Sequence, residues 1–262
     1  MFDFRMPLAG ALVLGSLAVP AVAADLYEPV PVEAPVAAPQ FGGWYLRGHV
    51  GMSNQEHDGL EYEYFDTPGF TQTWLDEGDF DSAPIGGLGV GYQFNNWLRG
   101  DVTAEFRGKS SFHALDVFTE DATGAVVGTN DYTATKSEWL LLANAYVDLG
   151  EFRGITPYIG AGIGASRNTI ANFNDSNVFA GGGGYAGKDS QWELAWALHA
   201  GLGYAVTDRL TMDLGYSFVN LGDGKTGEAR NYDAAFSRPN DGFTFKDLHS
   251  HDFKLGFRYK FN

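Results

Sequence analysis

Three observations predict an all-β fold: apolar and ionic residues alternate with period 2, short and long connections alternate along the chain, and an export signal stands at the amino terminus. Together they specify an eight-stranded antiparallel up-and-down transmembrane β-barrel with four long extracellular loops. Composition agrees. Of 262 residues, 35 are Gly and 15% are aromatic, a mixture suited to pleated surfaces and tight turns. The lack of Cys excludes disulfide scaffolds, zinc-thiolate centres and thiol catalysis. A formal net charge of −16 argues against nucleic acid, whose phosphates need a basic face.

Residues 1–23 read as a cleaved signal peptide: Arg5 precedes an apolar run from Leu8 to Val22, and Ala21-Val22-Ala23 is the small-x-small pattern of a cleavage site. Residues 24–40 carry Pro29, Pro31, Pro35 and Pro39 and read as an extended periplasmic tail. The barrel occupies residues 41–262. Past the signal, no apolar run reaches the ~18 residues of a transmembrane helix, so any insertion must use strands.

Strands are predicted at 44–53, 85–94, 98–107, 137–149, 156–166, 192–206, 210–218 and 252–261. The third is clear: Leu98, Val102, Ala104 and Phe106 alternate with Arg99, Asp101, Thr103, Glu105 and Arg107. The sixth sets Trp192, Leu194, Trp196, Leu198, Leu202, Tyr204 and Val206 against Glu193, Ala197, His199 and Gly203. In the last, Phe253, Leu255, Phe257, Tyr259 and Phe261 oppose Asp252, Lys254, Arg258 and Lys260. Several strands exceed the ~9–11 residues a tilted strand needs to cross a bilayer, so they can project beyond it. Asn95-Asn96, residues 151–154 and Thr207-Asp208-Arg209 are short turns; 54–83, 108–136, 167–190 and 220–250 are the long loops. An even strand count returns both termini to the periplasm.

Period 2 alone does not orient the faces, since a soluble ligand-binding barrel would carry its apolar set inside. Lipid is favoured by three features: the unlike loop lengths, the export route with its aromatic final strand, and aromatics near strand ends. The last are Trp44, Phe94, Trp97, Trp139, Phe152, Trp192, Tyr204 and Phe218, where interface girdles would lie. The lumen then receives Arg47, Arg99, Arg107, Lys254, Arg258 and Lys260 with Asp101, Glu105, Glu138, Asp148, Glu193, Asp213 and Asp252. Buried charges persist when paired, so a ladder of ion pairs plugging the barrel is expected. Eight strands leave just enough width for side chains to fill.

The segments FGGWYLRGHVG, TPYIGAGIGAS, RLTMDLGYSFVNLG and HSHDFKLGFRYKF, with the acidic and Pro-rich mature start, resemble the small outer-membrane surface antigens of alpha-proteobacteria. These are opacity-protein-like relatives of the outer membrane protein A transmembrane barrel. The resemblance runs from the signal to Phe261 and leaves the long loops unmatched. It implies an outer-membrane protein that stabilises the envelope, contacts lipopolysaccharide and, through its loops, host surfaces. It further implies that barrel-assembly machinery reads the terminal set Phe253, Leu255, Phe257, Tyr259 and Phe261, although here Asn262 follows the final aromatic residue.

Sharper motifs are few. Gly160-Ala161-Gly162-Ile163-Gly164 lacks the βαβ context of a nucleotide loop and reads as close packing in a strand. His249-Ser250-His251-Asp252 is the best enzymatic candidate, yet neighbours on a strand face opposite ways, which separates Ser250 from either histidine. The first long loop holds Glu56, Asp58, Glu61, Glu63, Asp66, Asp76, Glu77, Asp79 and Asp81 without Lys or Arg. That suits calcium in chemistry but not in spacing, and a solvated acidic surface is the simpler reading. His49 and His199 point inward and read as members of a polar core. No catalytic residue, metal ligand or cofactor is assigned. Three functions remain in order: a structural and surface-contact barrel, a narrow porin, and a lipid A-modifying enzyme.

Overall fold

A computed structural model describes residues 42–177, 179 and 181–261. The signal, the Pro-rich tail and Asn262 lie outside the described residues. Eight long strands form the wall: β1 (Gly43–Glu56), β2 (Phe70–Gln93), β3 (Leu98–Glu120), β4 (Val126–Asp148), β5 (Ile155–Asn177), β6 (Asp189–Ala205), β7 (Leu210–Lys225) and β8 (Thr244–Lys260). Each pairs antiparallel with its neighbour in sequence, and β1 pairs with β8 from Tyr45↔Lys260 to Glu56↔His249, so the sheet closes. Three short strands extend it at one end: Gly59–Glu61 beside β8, Gly183–Ala186 beside β5, and Ala229–Asn231 beside Gly183–Ala186.

At the turn end the connections are short, as their residues dictate. Asn95 Oδ1 accepts from the amides of Trp97 (2.9 Å) and Leu98 (2.8 Å), and Thr207 Oγ1 accepts from Leu210 N (3.0 Å). Such side-chain bonds replace a backbone turn locally.

The opposite end corrects one expectation. Most of residues 54–83, 108–136, 167–190 and 220–250 are not loops but continuations of the strands: β2 has 24 residues and β3, β4 and β5 have 23 each. At ~3.3 Å per residue, 23 residues run roughly 75 Å, far past the ~9–11 that span a bilayer. The physical reason is an inversion of the binary pattern. Next to the turn end, apolar side chains face out, among them Leu88, Val102, Trp139, Ile163, Leu198, Leu214 and Leu255, while ionic ones face in. Farther along, the outward face becomes polar, and the inward face carries Phe80, Phe112, Tyr132, Ile170, Phe173, Leu221, Phe245 and Leu248. Pairing irregularities mark the change: β3 slips between Arg107 and Ser110 against β4, β2 shifts between Phe80 and Ala83 against β1, and β8 is irregular around Asp247 (φ 46°). A β-bulge moves alternate side chains to the other face, and so the core parity of β3 changes from odd (Asp101, Thr103, Glu105, Arg107) to even (Ser110, Phe112, Ala114, Asp116). The barrel therefore has a lipid-type lower storey and a water-type upper storey.

Glycines in the lower wall make room for rings. A Cβ at Gly91 would overlap the Tyr45 ring, and one at Gly160 would overlap Tyr146. The Gly160 to Gly164 run is thus close packing within β5.

Candidate functional site

The lumen is built in layers. Arg99, in β3 near the turns, donates from Nε to Asp148 Oδ1 of β4 (3.0 Å), and its guanidinium lies 4.1 Å from the Tyr146 ring centre and 4.6 Å from that of Tyr158. One layer up, Arg47 Nη1 donates to Asp101 Oδ2 (2.9 Å) and Tyr146 Oη (2.7 Å), and Arg258 grips Asp213 at 2.7 and 3.0 Å. Above that, Glu105 receives Lys254 Nζ (2.7 Å), Arg107 Nη2 (2.9 Å) and His49 Nε2 (2.6 Å). Arg107, fully enclosed, also donates to Asp252, Ser53 and Ser250. The top polar layer pairs Lys136 Nζ with Glu138 Oε1 at 2.6 Å.

The structure thus brings eleven of the thirteen sequence-selected charges into pairs: Arg47, Arg99, Arg107, Lys254 and Arg258 with Asp101, Glu105, Asp148, Asp213 and Asp252, and Glu138 with a cation that sequence reasoning missed. Glu193 and Lys260 enter no ion pair among the described residues. Both are half-buried on their strands, and sequence parity does not supply a partner at the same height. Lys136 lay in a stretch read as loop, although Tyr132, Ala134 and Glu138 on the same parity were a usable signal.

Lys136 also joins the two storeys. Its ammonium sits 4.6 Å from the centre of the Phe80 ring, in cation–π reach at the base of the aromatic core. Phe80, Phe112 and Phe245 meet there with centroids 4.9 to 5.2 Å apart. Higher still, Phe243 stacks between Phe173 and Tyr62, each at 4.1 Å. His57 enters this core, donating from Nε2 to Gly78 O and accepting the Gly59 amide at Nδ1, and burial pushes its pKa down, favouring the neutral ring. Between the layers a cavity of about 30 Å³ remains in the lower lumen, bordered by His49, Asn144 and His199. That is room for about one water. His199 is held by Ser217 Oγ (2.8 Å) and Asn144 Oδ1 (3.1 Å).

The other sequence motifs separate. Ser250 and Asp252 point inward to Arg107, whereas His251 bonds Tyr216 Oη (2.7 Å) and His249 lies beside Glu56 (3.5 Å) at the outer wall. Five members of the acidic stretch, Glu56, Asp58, Asp76, Glu77 and Asp79, border an open hollow of about 670 Å³ on the upper wall, with no three groups converging as a metal needs among the described residues. A second opening, about 620 Å³, lies at the mouth of the upper storey between the first, third and fourth connections. Asp175 on its wall is lifted to about 7 by burial and by Asp116 and Asp131 nearby, while Asp116 is raised by burial despite bonds from Gln72, Asn130 and Tyr132.

The outward belt of the lower storey is ringed by Trp44, Phe94, Trp97 and Phe152 near the turns and by Trp139, Trp192 and Phe253 at its upper edge. The sequence model of the Outer membrane protein beta-barrel domain matches residues 9–261. The chain belongs to this family. As an outer membrane β-barrel protein it resides in the bacterial outer membrane. It is 33% identical over 219 residues to an uncharacterized protein of Brucella abortus, covering 78% of this chain and 77% of the other. A candidate adhesin of Rickettsia bellii is 30% identical over 192 residues, 70% of this chain and 73% of the relative. Among solved structures, the outer membrane protein OprG of Pseudomonas aeruginosa is similar, with a TM-score of 0.48 and 14% identity over 84% of this chain and 97% of that one.

Proposed function

We propose that this outer membrane β-barrel protein is a structural and surface-contact barrel, without enzymatic activity, that contributes to envelope integrity while its outer storey meets lipopolysaccharide and host surfaces. Its lumen is closed to solutes. The observation that carries the reading is the layered filling of the bore: four levels of paired ions, from Arg99–Asp148 to Lys136–Glu138, topped by the Phe80, Phe112 and Phe245 cluster. A solute would have to separate buried ion pairs, each worth several kcal/mol to break (about 3–5). The exposed terminal set Phe253, Leu255, Phe257, Tyr259 and Phe261 lies along the lipid face, where barrel-assembly machinery can read it during insertion. The relative that bears an adhesin name is in keeping with surface contact.

Planar-bilayer recording of the purified protein tests the reading. Silence is the expected outcome; steady nanosiemens openings would make it the narrow porin instead. Outer-membrane fractionation with gel mobility that changes on boiling checks that the recorded protein was folded.

A further inference from the structure

The hollow at the outer mouth differs in chemistry from the acidic hollow on the wall. It combines rigid rings with hydrogen-bonding groups of both signs. Tyr62 is fixed against Phe243 (4.1 Å, 18° between planes), and Tyr185, which is 45% exposed, packs on Tyr232 at the rim (5.9 Å). Arg230, Arg238, Asp175 and Asp233 also border the space. Its back wall is a run of four glycines, 181–184, whose first three adopt φ of 73°, 96° and 120°. A Cβ on Gly181 or Gly182 would meet nothing within 4 Å, so the bare backbone there is open to a ligand.

Two features narrow the ligand. Charges nearly cancel: the lining carries Arg230 and Arg238 with Asp175 and Asp233, and Arg230 already has Glu228 at 3.3 Å, within a chain of net charge −16. Neither a polyanion nor a free cation is selected by such a lining. Second, Asp175 lines the hollow with its Oδ1 buried and without a hydrogen-bond partner, a costly state that a hydroxyl donor relieves. Its pKa near 7 lets the same carboxyl accept or donate at neutral pH. Flat aromatic faces suit sugar C–H groups, and amides, guanidinium and carboxyl suit hydroxyls. The volume, about 620 Å³, falls within the ~300–1,000 Å³ of small-molecule sites.

We infer that the outer mouth is a binding site for a short neutral saccharide, seated against Tyr62 and Tyr185 with hydroxyls on Asp175 and on the glycine backbone. The inference rests on the surface-contact reading and gives that contact a chemistry.

The test uses the full-length folded protein in lipid nanodiscs on an array of neutral, sialylated and sulfated glycans, followed by calorimetric titration of the strongest hit. Retention of neutral glycans is expected, with at least tenfold weaker binding in Asp175→Asn and in Tyr185→Ala. Ser111→Arg, on the outer wall away from the mouth, should bind as the parent does. Three results overturn the inference: no neutral glycan retained, retention of charged glycans alone, or affinity unchanged in both mouth variants. A silent bilayer with no glycan bound would sink this inference while leaving the plugged barrel standing.

Discussion

The lower and upper storeys are built from the same long strands of one closed sheet, yet obey opposite codes. In the lower storey Leu88 and Val102 face out while Arg107 and Glu105 are sealed inside; in the upper, Lys109 and Ser111 face out while Phe112 and Phe245 are sealed inside. The backbone is indifferent to the change. What differs is the solvent around it, lipid below and water above, and each wall puts toward its solvent what that solvent accepts. The cost falls differently too. A lumenal ion loses its hydration and is tolerated only while its partner stays, whereas a buried ring gains from burial itself, at about 25 cal/mol per Å².

That contrast can be broken deliberately. Arg107→Ala leaves Asp252 short of its main cation and Glu105 short of one of its two, and should cost the lower storey about 3–5 kcal/mol, read as a fall in the temperature at which unboiled gels lose the folded band. Replacing Lys136 by Met together with Glu138 by Gln should cost less than either change alone, since the pair is removed as a unit. Phe112→Ala should destabilise the upper storey by about 3 kcal/mol. Faster trypsin cleavage at the outer end, with the folded band unmoved, would show that the storeys melt separately; a shift in both would show one cooperative body. Leu88→Arg, on the lipid face and 73% exposed, should cost about 2–4 kcal/mol, whereas Ser111→Arg, equally outward but in water, should stay within about 0.5 kcal/mol. Equal effects in a refolding titration would refute the two-solvent description.

The smallest effect concerns pH. Asp175 has a folded-state pKa raised from 3.8 to about 7, so it holds its proton better folded than unfolded. Its contribution favours the fold at low pH and is lost as pH rises from about 4 through 7. Asp175→Asn should therefore raise the melting temperature of the upper storey at pH 8, by roughly 2–4 °C for a change on the order of 1 kcal/mol, and change it little at pH 4. A gain at pH 4 instead would place the strain elsewhere.

How much of this was legible follows from the same contrast. The lower storey could be read because lipid demands an uninterrupted apolar face: the alternation in 98–107 and 252–261 located β3 and β8 and told which charges face in. Heights around the bore could not be read, since Arg107 meets Asp252 across 145 residues of sequence and the pairing depends on tilt. Glu193 and Lys260 show the limit. The upper strands read as loops because only an apolar-out alternation marks a lipid-facing strand, while Phe112 and Ala114 offer apolar-in after a slipped residue of β3, and Tyr132 and Ala134 offer it on the unchanged parity of β4. An inverted binary code, with or without a change of parity, is the signal that marks them. The mouth was illegible, being assembled from Tyr62, Asp175 and Arg230 on three connections.

The position of the cations on β8 bears on how the wall is completed. Lys254 answers Glu105 of β3, and Arg258 answers Asp213 of β7. A sheet still lacking its last strand therefore holds two carboxylates without these counter-ions, in a bore that water can still enter. When β8 zips onto β1, the same event that seals the edge delivers the missing charges and expels that water. The latch sits inside the cylinder, carried by the strand that closes it.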